Sequence, residues 1–344
     1  MTTNGTTSSP LGLLIASQVP PEQIPELAHL AESKGFGEIW IPEDYFFYGS
    51  IAAALTALNA TKDIKVGIGI VSALARHPAV LAMEVSTIDR LHPGRLWPGI
   101  GLGVPHWVEQ MGLLPKSPLT ALRETVTNLR SLLAGEEVTF EGKVHSFDKV
   151  ALTHPAASKQ PIFMGVLGPK MLNLSGEIAD GTVVSVLAGT KYLGWLHERV
   201  KEGQEKSGRT GEHHRVSTFA LYAVDHDAAK AKAEARAVTA FYLSAVPKSA
   251  LTDVYGIGDE LWDMYERGGE NAAELIAREM PDQWIEDLVI AGDPDEVAEK
   301  IQALVDAGSD AIALAPTNAD RAAETVTLTA SDVLAKVRPR TVTA

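Results

Sequence analysis

No cysteine occurs in this chain, which excludes disulfides and thiolate metal sites and agrees with a cytoplasmic address. Positive charge is also scarce: 30 Lys and Arg stand against 44 Asp and Glu, a formal net charge of −14. That balance disfavours nucleic acid and anionic membrane surfaces as partners. An anionic ligand would have to be held by local donors against the overall field, so each Lys or Arg near a strand end gains weight. No uninterrupted apolar run reaches the ~18 residues of a membrane-spanning helix. Residues 1–10 are polar, lack the basic start and apolar core of a signal peptide, and are expected to form a disordered leader. None of the ten histidines falls in an HExxH or similar spacing, so no metal site is expected. Nucleophile-elbow, Walker and kinase motifs are missing, and so is the early glycine-rich dinucleotide fingerprint.

What is present is a repeating strand–helix rhythm, with 45% hydrophobic residues to fill a core. Apolar strand patterns occupy residues 11–17, 37–41, 64–71 and 95–102, with helical spacing between them. After an irregular stretch the rhythm resumes at 161–165, 182–187 and 216–224, and it closes at 311–315. Eight such strands joined by helical crossovers predict an α/β fold, a (β/α)8 TIM barrel, since an open doubly wound sheet rarely has so many units. No linker or low-complexity segment divides the chain. One barrel domain over 11–340 is expected, with insertions near 103–118, 135–160 and 247–285, the second a small hairpin turning at Glu141-Gly142.

The active site of such a barrel lies at the C-terminal ends of its strands. Strand one ends at Ser17, strand two at Glu43-Asp44, strand three at Ser72 and strand four at Gly101. Glu43 and Asp44 are adjacent and point to opposite faces, so at most one aims at the barrel mouth. Each is read as a proton carrier or as a cap for the helix that follows. His106 lies on the loop after strand four and is either a general acid or merely exposed. The stretch 165–181, GVLGPKMLNLSGEIADG, reads as strand, turn, helix and strand. Its turn, Leu167-Gly168-Pro169-Lys170, would present free amides at a helix N-terminus. It is either a phosphate cradle or an ordinary strand-to-helix turn.

Several motifs in order and spacing carry a resemblance. They are Glu38-Ile39-Trp40-Ile41, Gly67-Ile68-Gly69-Ile70 with Arg76-His77-Pro78-Ala79, Gly94-Arg95 before Gly99-Ile100-Gly101, the stretch 165–181, and Gly292-Asp293-Pro294-Asp295-Glu296. Together they resemble the luciferase-like superfamily of flavin and deazaflavin oxidoreductases, most closely the coenzyme F420-dependent methylenetetrahydromethanopterin reductases. The resemblance spans about 11–337. It implies a bacterial-luciferase-like barrel that binds coenzyme F420 at its C-terminal mouth and transfers a hydride to or from a small organic substrate, here the reduction of an activated C=C or C=N bond. FMN, in a monooxygenase of the same superfamily, is the alternative, and a non-catalytic flavin-binding relative a further one. Implied cofactor contacts are Ser17, Glu43, Gly69, Ile70, Ser72 and Gly101, with Val166, Leu167, Gly168, Pro169 and Lys170 around the phosphate. A non-proline cis peptide is implied at Gly69-Ile70, and Glu43, Asp44 and His106 are the candidate proton carriers. A homodimer is implied, with the Ala-rich helix at 51–58 as one possible face. Two departures stand out: Glu43-Asp44 replaces the family's frequent Asp-His, and Val104 stands where the sugar-phosphate dehydrogenases have Glu.

Overall fold

The computed structural model describes residues 9–341, so most of the expected leader lies outside the described residues. Pro10 already belongs to the barrel, its carbonyl accepting the Ile312 amide at 2.8 Å. Eight parallel strands follow: β1 (Leu11–Leu14), β2 (Glu38–Ile41), β3 (Lys65–Ser72), β4 (Leu96–Gly101), β5 (Phe163–Gly165), β6 (Gly181–Val184), β7 (Arg215–Val224) and β8 (Ala311–Pro316). Each pairs with its neighbour in sequence, and β8 returns to β1 with Ile312 opposite Leu11. The sheet is closed, and the expected (β/α)8 barrel is the fold. Segments such as Glu-Ile-Trp-Ile and Ala-Ile-Ala-Leu-Ala-Pro are buried along their whole length, as strands covered on both faces require.

The crossover helices follow from local chemistry. Helix Pro294–Asp306 begins with a capping box between Asp293 and Glu296 and ends before Gly308, whose φ of 107° suits glycine. The three insertions carry elements of their own. Helix Pro105–Gln110 lies in the first, an antiparallel hairpin of Val138–Glu141 and Ser146–Val150 in the second, and a run of short helices from Ala250–Asp253 to Asp282–Leu288 in the third. A short strand, Ile290–Gly292, pairs with the end of β7; three residues are too few to show a period in the sequence.

Side chains fill the barrel interior. Trp40 on β2 is fully buried, and its ring lies where a Cβ on Gly67 would come within 2.3 Å. Trp97, Phe163 and Phe219 pack around it, with ring centroids 6.2, 5.5 and 5.5 Å away. The Trp40 indole N–H donates to buried Glu38 at 2.7 Å, and Glu38 pairs with Arg215 at 2.7 Å. Both tryptophans are structural, as their strand positions suggested. Among the described residues, no helix is long and apolar enough to cross a membrane.

Candidate active site

A cavity of about 370 Å³ opens at the C-terminal ends of the strands, between the loop after β2, the wall of β3, β4 and β5, and the turn after β5. Its back wall is built from glycines. Ile70 fits against β4 and β5 only because Gly101 and Gly165 have no side chain: added Cβ atoms would come within 2.8 and 2.3 Å of it. Ile70 is thereby held as part of the cavity lining. The peptide between Gly69 and Ile70 is cis, as the resemblance implied, and the β3–β4 register shifts there. A second non-proline cis peptide, Tyr45-Phe46, lies in the loop after β2.

Glu43 and Asp44 both reach the cavity, yet their surroundings differ. Arg76 grips Glu43 with two bonds, Nη1 to Oε1 at 2.6 Å and Nη2 to Oε2 at 3.0 Å. Oε2 also accepts the Ser50 hydroxyl at 2.6 Å and the Ser50 amide at 3.3 Å. Both oxygens are spent as acceptors, so the Glu43 carboxylate fastens the start of helix Ser50–Asn59 to Arg76. The geometry of Glu43 fits the capping reading.

Asp44 has a single side-chain partner, the buried Ser17 hydroxyl, which donates to Oδ2 at 2.6 Å. Burial pushes the Asp44 carboxyl above its ordinary value, and the Ser17 bond offsets this only in part. Ser17, which meets Asp44, is not itself part of the lining. Nor is Ser72. Its hydroxyl donates to the Leu102 carbonyl at 3.0 Å and accepts the Leu74 amide at 3.2 Å, which shapes the ends of β3 and β4. His106 is exposed on helix Pro105–Gln110 and does not line the cavity. That helix turns its preceding residues, Val104 and Pro105, inward instead.

Val166, Leu167 and Gly168 line the opposite side. The Gly168 carbonyl accepts the Met171 and Leu172 amides, opening helix Pro169–Ile178, and the Leu167 carbonyl accepts the Tyr192 hydroxyl at 2.9 Å. Among the described residues, the amides of Leu167, Gly168 and Lys170 find no protein acceptor. A Cβ on Gly168 would meet no protein atom within 4 Å, and its φ of −83° is open to any residue. The protein therefore does not require glycine there, whereas a ligand resting on the backbone would. Pro169 and Lys170 are exposed at the helix start, outside the cavity lining. A phosphate fits these free amides and the helix dipole.

The lining includes residues that sequence reasoning passed over. Val183 and Ser185, two apart at the end of β6, share one face, and that alternation was available as a signal. Phe219, from the middle of β7, reaches across the barrel to Gly69, where a Cβ would come within 2.5 Å of its ring. No sequence pattern marks that pairing. Among the described residues, no cluster of His, Asp and Glu has the arrangement of a metal site.

Other proteins share this arrangement. The 5,10-methylenetetrahydromethanopterin reductase of Methanolobus tindarius is 31% identical, over 84% of this chain and 90% of its own. The F420-dependent glucose-6-phosphate dehydrogenase of Nakamurella multipartita is 30% identical, over 85% of this chain and 86% of its own. The solved coenzyme F420-dependent tetrahydromethanopterin reductase of Methanopyrus kandleri superposes with a TM-score of 0.84 at 26% identity, covering 96% of this chain and 100% of that one. The profile of the family described as luciferase-like monooxygenase matches residues 3–311. A closed barrel with a glycine-walled mouth, matched along nearly its whole length, makes this chain a member of the luciferase-like monooxygenase family.

Proposed function

We propose that the protein is a coenzyme F420-dependent oxidoreductase that reduces an activated C=C or C=N bond in a small organic substrate. The observation that carries this is the set of free amides at Leu167, Gly168 and Lys170, across the cavity from Asp44. The F420-dependent names of relatives at 30 and 31% identity favour the deazaflavin over FMN. When bound, F420 supplies the hydride.

The chain's own residues do the rest. The free amides at the start of helix Pro169–Ile178 hold the phosphate. Ile70, seated in its glycine notch, supports the back of the ring, and Leu102 and Phe219 exclude water. Asp44 gives its carboxyl proton to the substrate atom that does not take the hydride, and Ser17 orients it. Glu43 and Arg76 keep the loop that carries Asp44 in place.

The test is equilibrium binding of oxidised F420 and of FMN, read by fluorescence. Tighter binding of F420 by at least ~10-fold is expected; the reverse preference supports the FMN monooxygenase reading, and no binding of either refutes both. A homodimer is also proposed, with its interface moved from the expected helix. Ala53, Ala54 and Ala57 are buried in the chain's own core, whereas Val80 and Met83 are 47 and 57% exposed on helix Pro78–Leu91. Met83→Glu is expected to shift sedimentation toward the monomer, and an unchanged profile would remove this face from consideration. The cytoplasmic address rests on the absence of cysteine.

A further inference from the structure

We propose that the cavity selects uncharged, largely apolar substrates and rejects anionic ones, with Val104 as a residue that sets this preference. The inference rests on the same cavity being the redox site, but its basis is separate: the charge inventory of the lining. Among the described residues, the only ionisable side chains that line the cavity are Glu43 and Asp44, and no Lys, Arg or His does. The nearest cation to these carboxylates, Arg76, is held in two bonds by Glu43 and lies 3.4 Å from Glu84 as well. A phosphate or carboxylate on a substrate would therefore lose its hydration beside Asp44 with no cation to replace it.

Val104 lines the cavity and is 39% exposed. Two and three residues after Asp44 in the chain, on the loop after β2, Phe46 and Phe47 are 66 and 54% exposed. The Tyr45 ring links these two loops, lying 3.6 Å from where a Cβ on Gly103 would stand. His106, two residues after Val104, is exposed outside the lining and offers an incoming anion no contact inside. The free amides near Gly168 are on the far side and serve the cofactor phosphate. The dehydrogenase relative named for glucose-6-phosphate acts on a dianion, and nothing in this lining would receive one.

A matched probe pair separates charge from shape: 4-carboxybenzylideneacetone and its methyl ester, an anionic and a neutral enone on one frame. Dissociation constants are measured at pH 8 by calorimetry, on the chain alone and on the chain with oxidised F420. The ester is expected to bind at least ~100-fold more tightly, as like-charge juxtaposition near a buried carboxylate implies. Val104→Lys, at a half-exposed position that tolerates a long side chain, is expected to reduce that ratio at least tenfold by tightening the acid, with an unchanged melting temperature. Equal or tighter binding of the acid overturns the inference, as does failure of both probes to bind, or a Val104→Lys ratio equal to the parent's. Because binding to the chain alone needs no cofactor, failure of F420 to bind would refute the redox reading and leave this measurement to stand on its own.

Discussion

Replacing Asp44 by Asn separates chemistry from folding at one atom. The amide keeps the size of the carboxyl and can still accept the Ser17 hydroxyl bond, which is 2.6 Å in the parent. What it cannot do is give up a proton. A positioned acid contributes roughly 10²–10⁴ in rate, or about 3–5 kcal/mol of barrier at 1.36 kcal/mol per factor of ten. The Asp44→Asn variant should lose that much in single-turnover reduction while its F420 affinity stays within about twofold. Stability moves the other way. Burial raises the Asp44 carboxyl above its ordinary value, so the folded state prefers the protonated form and its stability declines as pH rises through the range between the unfolded and the folded value. Asn has no such penalty. At pH 8 the variant should therefore melt at the same temperature as the parent or higher, and the gap should close as pH falls below the ordinary carboxylate range. The parent's rate should likewise fall with rising pH as the acid is lost, and the variant's residual rate should be flat. A variant that loses stability at pH 8 while keeping its rate would refute both the desolvated carboxyl and its role as donor.

Glu43→Gln should instead cost stability, about 2–4 kcal/mol, because it leaves a part-buried Arg76 without its carboxylate; denaturant unfolding measures this, and a neutral result would show the pair to be idle. Gly168→Ala should leave the melting temperature unchanged, since its Cβ has open space, while weakening F420 at least tenfold; unchanged affinity would remove the cradle. Gly165→Ala drives a methyl to within 2.3 Å of Ile70 Cγ2 and should cost about 1–3 kcal/mol, with Ile70→Ala, which removes that atom, recovering part of the loss in a double-mutant cycle. His214 is pushed down to about 3 by burial and the nearby Arg209 charge. The fold therefore keeps it neutral, and stability is lost as pH falls below its ordinary 6.5; His214→Gln should flatten the melting curve between those values.

The barrel was legible because each strand is a short apolar run and each helix carries its own start and stop, so the rhythm survives in one dimension. The hairpin and the helical excursion stood out as breaks in it. Gly69 and Ile70 were reached through the resemblance, and the turn at Leu167-Gly168 through its place at a strand end. Helix Pro105–Gln110 was not, since six residues hold too little period to register. The exposed alternative for His106 fits the structure: once Pro105 starts a helical turn, Val104 and Pro105 line the cavity and the imidazole is exposed. Phe219 lay out of reach because its partner, Gly69, is far away in sequence and the pair exists only through barrel closure.

The neighbouring carboxylates show the limit most sharply. Alternation along an extended chain says that Glu43 and Asp44 leave the backbone on opposite sides, and it cannot say which side is furnished. Arg76 and Ser50 come from different elements, and both happen to meet Glu43; they saturate it, and a saturated carboxylate anchors. Asp44 meets one hydroxyl and a largely apolar wall, and burial raises its carboxyl above the ordinary value. The division of labour is thus made by what the loop after β3 and the helix after β2 bring to one side of the chain. Moving Arg76 should move the role with it. In Arg76→Gln, Glu43 loses its cation and is left freer to turn toward the cavity it already lines, and adding Asp44→Asn to that variant should be less damaging to the rate than in the parent. If the two losses simply multiply, Glu43 has no latent capacity as an acid, and the difference between the two residues lies in their reach toward the substrate and not in their partners.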